Sequence, residues 1–259
     1  MHKLSKLKKI LKSYPGVVVA FSGGVDSSFL LRIAKDVLGK NVIAVTAVSR
    51  LQPRKEITEA KQTAQRLGVK HVTIRTDPLK ENAVRSNLAN RCYHCKLLLL
   101  TQLKKIAQKN NYVVIEATNK SDLRYHRPGI KAVKRLGVAS PLVEAGFEKE
   151  EIRQAARRLG LPSWNKPSMA CLASRIPYGQ EITAQKMRRI DKAEDYLRRL
   201  RFTQVRVRDH YPMARIEVNT AELEKILKQR KRIVRYLCGL GYIYVTLDLA
   251  GYRTGSFDL

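Results

Sequence analysis

Between Val17 and Leu38 an apolar run, VVVAF, gives way to SGGVDSS and then to apolar residues at 29, 30, 31, 33, 34, 37 and 38. That order reads as a strand, a glycine turn and a helix start. Glycines let a backbone turn so that its N–H groups face inward. The helix that follows adds roughly half a positive charge and unsatisfied donors at its N-terminus. Ser22, Ser27 and Ser28 can add hydroxyls. Together these make an anion cradle. The Gly-Lys-Ser/Thr ending of a Walker loop is absent, and so is the G-x-G-x-x-G of a dinucleotide fingerprint. Asp26 is out of place in a nest built for phosphate alone, unless a Mg²⁺ ion lies between carboxylate and phosphates. The plainer reading is a capped helix after a tight turn, with Asp26 as the N-cap.

Cysteine chemistry is the second candidate. The chain has four cysteines, Cys92, Cys95, Cys171 and Cys238. That is too few for a disulfide framework and better suited to metal or catalytic thiols in a reducing compartment. Cys92 and Cys95 form a C-x-x-C within RCYHCK, a spacing that suits redox chemistry, a metal or nothing at all. Cys171 stands between Lys166 and Arg175, whose charges would favour its thiolate. Its plainer reading is a buried thiol packed with Met169 and Leu172. Three thiolates are too few for an all-cysteine zinc site, and His94 lies awkwardly between the pair. On a 4Fe–4S cluster three thiolates leave one iron open. Cys238, beside Leu237 and Leu240, is expected in a core.

A third candidate is VRVRDH, residues 205–210. A strand's period of two puts Arg206 and Arg208 on one face and Val205 and Val207 on the other. Paired guanidiniums suit a phosphate. They equally suit a solvated edge strand that resists aggregation. Glu194 and Asp195, on the preceding helix, are metal candidates or members of an exposed helix face. Lys96 is a weaker candidate for contact with phosphates.

The elements that must place these residues alternate. Strands are expected at 17–21, 41–48, 71–74 and 112–117. Helices are expected at 26–38, 53–67, most of 79–109 with a break near 89–95, then 129–136 and 149–159. Near-continuous apolar strands fit a parallel sheet covered on both faces. After Leu161 the chain carries three prolines and a glycine with little period, a loop that holds chemistry or joins domains. Then come helix 183–200, strands 203–208 and 214–218, helix 221–237 and strand 242–247. The fold class is therefore α/β, a parallel sheet with helices on both faces, plus a small C-terminal α+β domain. The domain boundary is expected between 1–176 and 177–259.

Net charge is +29, with +22 over 1–176 and +7 over 177–259, so the charge is not a tail. It suits nucleic acid, phosphorylated small molecules or the surface of a heat-adapted protein. No apolar run approaches the roughly 20 residues of a membrane helix. The basic start, MHKLSKLKKILKSYPG, lacks the apolar core and cleavage site of a secretion signal. Cytoplasmic location and no membrane partner are the expectation.

The segment Ser22-Gly23-Gly24-Val25-Asp26-Ser27 resembles the PP-loop of the ATP pyrophosphatases. Three further segments, 116-EATNKSD-122, 166-KPSMACLASRIPYG-179 and 244-YVTLDLAGYRTGS-256, resemble the LarE family of ATP-dependent sulfur transferases. The similarity runs from about Val17 to Ser256. The loop is specific only to the superfamily; CLASR and GYRTGS are specific to the family. Ala117 departs from the glycine expected in its turn, which weakens the reading at Thr118.

The resemblance implies an adenine nucleotide alpha hydrolase-like fold. It implies that the loop binds the β- and γ-phosphates that leave as pyrophosphate, with Mg²⁺ at Asp26. Adenine would lie against Ala47 and Val48, with Thr118, Asn119 and Asp122 also at the ATP. It implies that Cys171 attacks an adenylated carboxylate, or joins Cys92 and Cys95 on a 4Fe–4S cluster that delivers sulfide. The three-cysteine pattern favours the cluster. Arg206, Arg208 and Arg253 would hold the phosphate of a pyridinium mononucleotide, in a hexamer. The other partner is a sulfide or sulfur donor; nucleic acid is not expected. A tRNA thiolase would explain the charge better, but no RNA-binding module or zinc ribbon is visible. An amide-forming synthetase would leave the cysteines without a purpose, and no residue supports a non-enzymatic nucleotide sensor.

Overall fold

The computed structural model describes residues 2–124, 127–166 and 170–253. The chain forms two compact units. One is Met1–Glu81 with Asn90–Met169; the other is Ala170–Leu259 with Asn82–Ala89. The division falls seven residues before the boundary expected from sequence, so Cys171 and Arg175 belong to the second unit. It also assigns the short helix α4 (Asn82–Arg85) to that unit. There Asn87 Nδ2 donates to the carbonyls of Ile176 and Pro177 at 3.1 and 2.7 Å. Nothing local in the sequence marks this excursion.

The first unit alternates as expected: α1 (His2–Lys12), β1 (Val17–Ala20), α2 (Val25–Leu38), β2 (Val42–Val48), α3 (Arg54–Arg66), β3 (Lys70–Arg75), α5 (Arg91–Asn110), β4 (Val113–Ile115), α6 (Pro128–Arg135), α7 (Pro141–Glu144) and α8 (Lys149–Arg158). The strands lie parallel in the order β3-β2-β1-β4. Period-two alternation sends neighbouring side chains of β1 to opposite faces. Val17 and Val19 pack with Leu7, Leu11, Phe29, Leu30 and Ile152 of α1, α2 and α8. Val18 packs with Leu100, Leu103 and Val133 of α5 and α6. Both faces are thus covered, which explains why β1 is apolar without interruption.

The second unit continues with α9 (Ala184–Arg199), β5 (Val205–His210), β6 (Met213–Val218), α10 (Leu223–Lys228), α11 (Arg230–Gly239) and β7 (Tyr244–Leu247). Thr183 caps α9, its side chain accepting from the Lys186 N–H at 3.2 Å. The sheet order is β5-β6-β7, with β5 antiparallel and β7 parallel to β6. Val205, Val207, Ile216, Ala193, Leu197 and Leu237 form its core. The single helix expected at 221–237 is two, breaking at Gln229. Cys238 is exposed rather than in the core, because Leu237 takes the inward position of α11.

Candidate functional site

In the first unit β1 ends at Ala20, opposite Val45. The chain then turns at Gly23, whose φ is 74°. A Cβ there would stand 3.0 Å from the Cα of Ala60 in α3, so glycine alone fits both the dihedral and the space. Gly24 takes the N-cap position of α2, with no side-chain cap. Asp26 is therefore not the cap; it lies inside the first turn of α2. The loop closes on itself. Gly24 N–H donates to Ser22 Oγ at 3.3 Å, the Ser22 and Ser27 hydroxyls lie 3.1 Å apart, and Ser27 Oγ donates to Gly24 O at 3.1 Å. Ser27 and Ser28 are both buried, and Ser28 Oγ has no hydrogen-bond partner among the described residues.

Asp26 accepts from Asn119 Nδ2 at 3.3 Å and pairs with Lys149 Nζ. Asn119 reaches it because β4 runs parallel to β1, so the turns after both strands lie at one sheet edge. Asn119 and Asp122 lock that turn: Asn119 N–H donates to Asp122 Oδ2 at 3.2 Å and Asp122 N–H to Asn119 Oδ1 at 3.1 Å. Arg127 pairs with Asp122 at 3.0 Å. Thr118 gives its N–H and its hydroxyl to Glu116, at 3.1 and 2.7 Å.

Glu116 is buried and also accepts from Ser140 Oγ at 2.6 Å and Lys96 Nζ at 2.8 Å. Burial alone would raise its pKa. The Lys96 charge and these hydrogen bonds outweigh it, and the net direction is down. Lys96 is thus engaged by Glu116. β2 runs on past its last pairing with β1, so Ala47 and Val48 pair only with Ile74 and Arg75 of β3. They form a ledge at the loop's edge of the sheet.

Sequence reasoning missed two residues here. Lys149 is the first residue of α8, held there by a Glu148–Glu151 capping box and by its own N–H donating to Ser121 Oγ at 3.0 Å. The capping pattern was readable; the contact with Asp26, 123 residues away, was not. The other is His71, whose Nε2 lies 2.8 Å from Thr46 Oγ1, while that hydroxyl donates to Phe21 O at 2.8 Å. His71 must therefore carry its proton on Nε2. Burial, then Lys61, lowers its pKa and favours that neutral ring.

Cys92 and Cys95 stand in the first turns of α5, Cys92 exposed and Cys95 half-buried. Three residues apart on a helix, they share a face. Within each unit, among the described residues, no three His, Cys, Asp or Glu side chains converge on a point that could hold a metal.

In the second unit Cys171 is exposed, and its carbonyl opens a short 3₁₀ turn, Leu172–Arg175. Arg175 is fully buried. It forms a two-pronged pair with Glu194, at 2.8 and 3.0 Å. Its third nitrogen donates to Ala170 O at 2.6 Å, Cys171 O at 3.0 Å and Ser174 Oγ at 2.9 Å. Glu194 is also fully buried, so neither the metal role nor the exposed face expected for it holds. Burial pushes its pKa up, but Arg175, with Arg198 and Arg206, brings it below the usual value. Asp195, by contrast, is a partly exposed partner of Arg199 at 2.7 Å.

Arg206 and Arg208 are buried, not solvated on an edge. Arg208 pairs with Glu217 at 2.8 Å through two nitrogens and donates with the third to Ser174 O at 2.6 Å. Arg206 lies 5.1 Å from the Tyr252 ring. Burial first, then the Arg175 charge, pushes its pKa down. Arg253 is exposed, one residue beyond Tyr252, whose N–H donates to Val218 O at 2.8 Å. Positions 167–169 and 254–256 of the two family-specific segments, Met169 included, lie outside the described residues.

Among the described residues no helix is long and apolar enough to cross a membrane. The NAD synthase family model matches residues 4–125. An uncharacterized protein of Synechocystis sp. is 41% identical over 99% of this chain and 97% of its own. The pyridinium-3,5-bisthiocarboxylic acid mononucleotide synthase of Lactiplantibacillus plantarum is 40% identical over 99% of this chain and 94% of its own. An uncharacterized protein of Methanocaldococcus jannaschii is 29% identical over 98% of both. With a glycine loop shaped as above, a parallel sheet to carry it and a likeness that runs through both units, the chain belongs to the LarE family of PP-loop, ATP-using sulfur transferases.

Proposed function

We propose that this chain adenylates a carboxylate of a pyridinium mononucleotide and converts it to a thiocarboxylate. One observation carries the reading. The likeness to the L. plantarum synthase spans the whole chain, whereas the NAD synthase match stops at residue 125, before Cys171 and all three candidate arginines.

The chemistry has two steps. A substrate carboxylate oxygen attacks the α-phosphorus of ATP, and pyrophosphate leaves. A sulfur nucleophile then attacks the acyl carbon, and AMP leaves with the original oxygen. Ser22, Gly23, Gly24, Val25 and Ser27 cradle the departing diphosphate, and Ala47 and Val48 take the adenine. Thr118, Asn119 and Asp122 line the nucleotide. Asp26 would hold Mg²⁺, which supplies charge neutralisation at the β- and γ-phosphates. Its present partners are a lysine and an amide, both exchangeable. Arg206, Arg208 and Arg253 bind the substrate's phosphate; the lowered pKa of buried Arg206 supports this.

Two sulfur sources fit the cysteines. The favoured one is a 4Fe–4S cluster ligated by Cys92, Cys95 and Cys171. When bound, such a cluster with an open iron supplies a hydrosulfide. The donors fit in type: two thiols on one helical face and a third that is exposed. In the second reading, favoured by the exposure of Cys171 beside a clamped carbonyl, its thiolate attacks and forms a thioester. Loss of the Cα proton then breaks the Cβ–S bond, leaving dehydroalanine in the chain and the thiocarboxylate on the product. Anaerobic turnover with the pyridinium dicarboxylate mononucleotide, ATP and sulfide tests the proposal. Mass spectrometry should find oxygen replaced by sulfur. Repeated turnover by an iron-containing, unchanged protein selects the cluster. A single turnover with loss of H₂S from Cys171 selects the sacrifice. Sulfur delivered only to bulk tRNA would contradict both.

A further inference from the structure

The turn that carries Cys171 is held by charge as well as by the packing of Leu172 and Ala173. Three of its carbonyls, at 170, 171 and 174, accept from two guanidiniums, those of Arg175 and Arg208. Arg175 is fixed in turn by Glu194, whose side chain is completely enclosed. The same carboxylate has further partners. Its Oε1 accepts the backbone N–H of Val207 at 3.2 Å, and Arg198 donates to Oε2. Val207 lies between Arg206 and Arg208 on β5. Glu194 therefore joins the Cys171 turn, through Arg175, to the strand that bears the two candidate phosphate arginines. A second link, Arg208 to Ser174 O, runs in parallel.

Burying two ions costs several kcal/mol apiece, and a pair of apolar residues of the same volume is often as stable or more so. Stability alone therefore does not account for an arginine that spends its remaining donors on carbonyls. Planar, fork-shaped guanidinium fixes directions in a way a flexible ammonium cannot. We infer that Arg175 and Glu194 are positioning residues that hold the Cys171 backbone at a set distance from the Arg206–Arg208 strand. A substrate anchored by its phosphate on that strand then meets the Cys171 sulfur, or the sulfide it ligates, at one reach. The inference rests on the proposed role of Cys171, and it concerns the second unit alone.

The test uses the full chain, purified anaerobically, as Arg175→Lys, Glu194→Gln and a control, Asp209→Asn. Asp209 is another fully buried carboxylate of the same unit. It pairs with Arg189 at 2.8 Å and accepts from Tyr242, but it does not touch the turn. Hydrogen exchange of the peptide 170–176 reads the order of the turn. ATP–pyrophosphate exchange reads adenylation, and thiocarboxylate formation reads sulfur transfer. Arg175→Lys and Glu194→Gln should speed exchange in 170–176 and lower the sulfur-transfer kcat by about a hundredfold, the scale of an ångström's misplacement. Their ATP KM should stay within about twofold of wild type, well inside one factor of ten. Asp209→Asn should change neither the turn nor that ratio, whatever it does to the melting temperature.

Three results overturn the inference. One is unchanged exchange in 170–176, the second is normal sulfur transfer in Arg175→Lys, and the third is an equal loss in Asp209→Asn. Should Cys171→Ala retain full sulfur transfer, the proposed role of Cys171 fails and the positioning role fails with it. Normal transfer in Arg175→Lys beside a dead Cys171→Ala removes only the inference.

Discussion

The phosphate loop and the Cys171 turn solve the same problem, holding a short irregular segment still, in opposite ways. The loop at 22–27 is held by a glycine dihedral, neutral hydroxyls and backbone donors, all within six residues. Its charged member, Asp26, keeps a fifth of its side chain exposed and has partners a metal can displace. The turn at 170–175 is held by buried ions whose partners come from 19 and 34 residues away. The first arrangement suits a site that must release pyrophosphate each cycle. The second suits a group whose position must not drift. Neutral local hydrogen bonds are worth about 1 kcal/mol each, whereas an enclosed ion left without its partner costs about 3–5 kcal/mol.

That contrast can be broken at several points. The largest effect is expected from Cys171→Ser, which should abolish thiocarboxylate formation and leave ATP–pyrophosphate exchange intact. Loss of both together would mean that the two regions are not separate in function. Next comes stability. Glu194→Ala should lower the unfolding free energy by about 3–5 kcal/mol in urea titration, because Arg175 is stranded in the interior. Lys149→Met, which breaks the half-buried pair with Asp26, should cost no more than about 1 kcal/mol. Equal costs would erase the distinction.

A smaller effect is expected in acid. Glu194 has a folded pKa below its unfolded value of about 4.3. Its contribution is fully present above that value and is lost as pH falls through the lower folded pKa. Glu116, also lowered, adds to the same loss in the first unit. Melting temperatures followed from pH 6 downward should fall below about pH 4, and Glu194→Gln should flatten part of that slope. The smallest effect is expected from Cys238→Ser. The residue is exposed, and stability should change by less than about 0.5 kcal/mol with sulfur transfer unaltered.

How much was readable in the sequence follows the same division. The alternating elements, the parallel sheet and the loop were legible because period, glycine and apolar runs act locally. Lys149 beside Asp26 was not, since the contact joins the turn after β1 to the start of α8 only once the unit has folded. Arg206 and Arg208 were placed on one face correctly by period two, but their burial was not foreseen. Charge in a sequence suggests solvent, and the partners that make burial tolerable, Glu217 and Glu194, lie on other elements. Glu194 and Cys238 were misplaced for one reason. Inward positions on a helix are decided by what packs against them: Arg175 and Arg198 enclose Glu194, and Leu237 takes the inward place beside Cys238.

The most direct test of the account is the fate of ATP. The purified chain, given Mg²⁺, ATP and the pyridinium dicarboxylate mononucleotide, should yield AMP and pyrophosphate by phosphorus NMR, and Asp26→Asn should suppress both. Release of ADP and orthophosphate, or AMP formation undiminished without the Asp26 carboxylate, would contradict it.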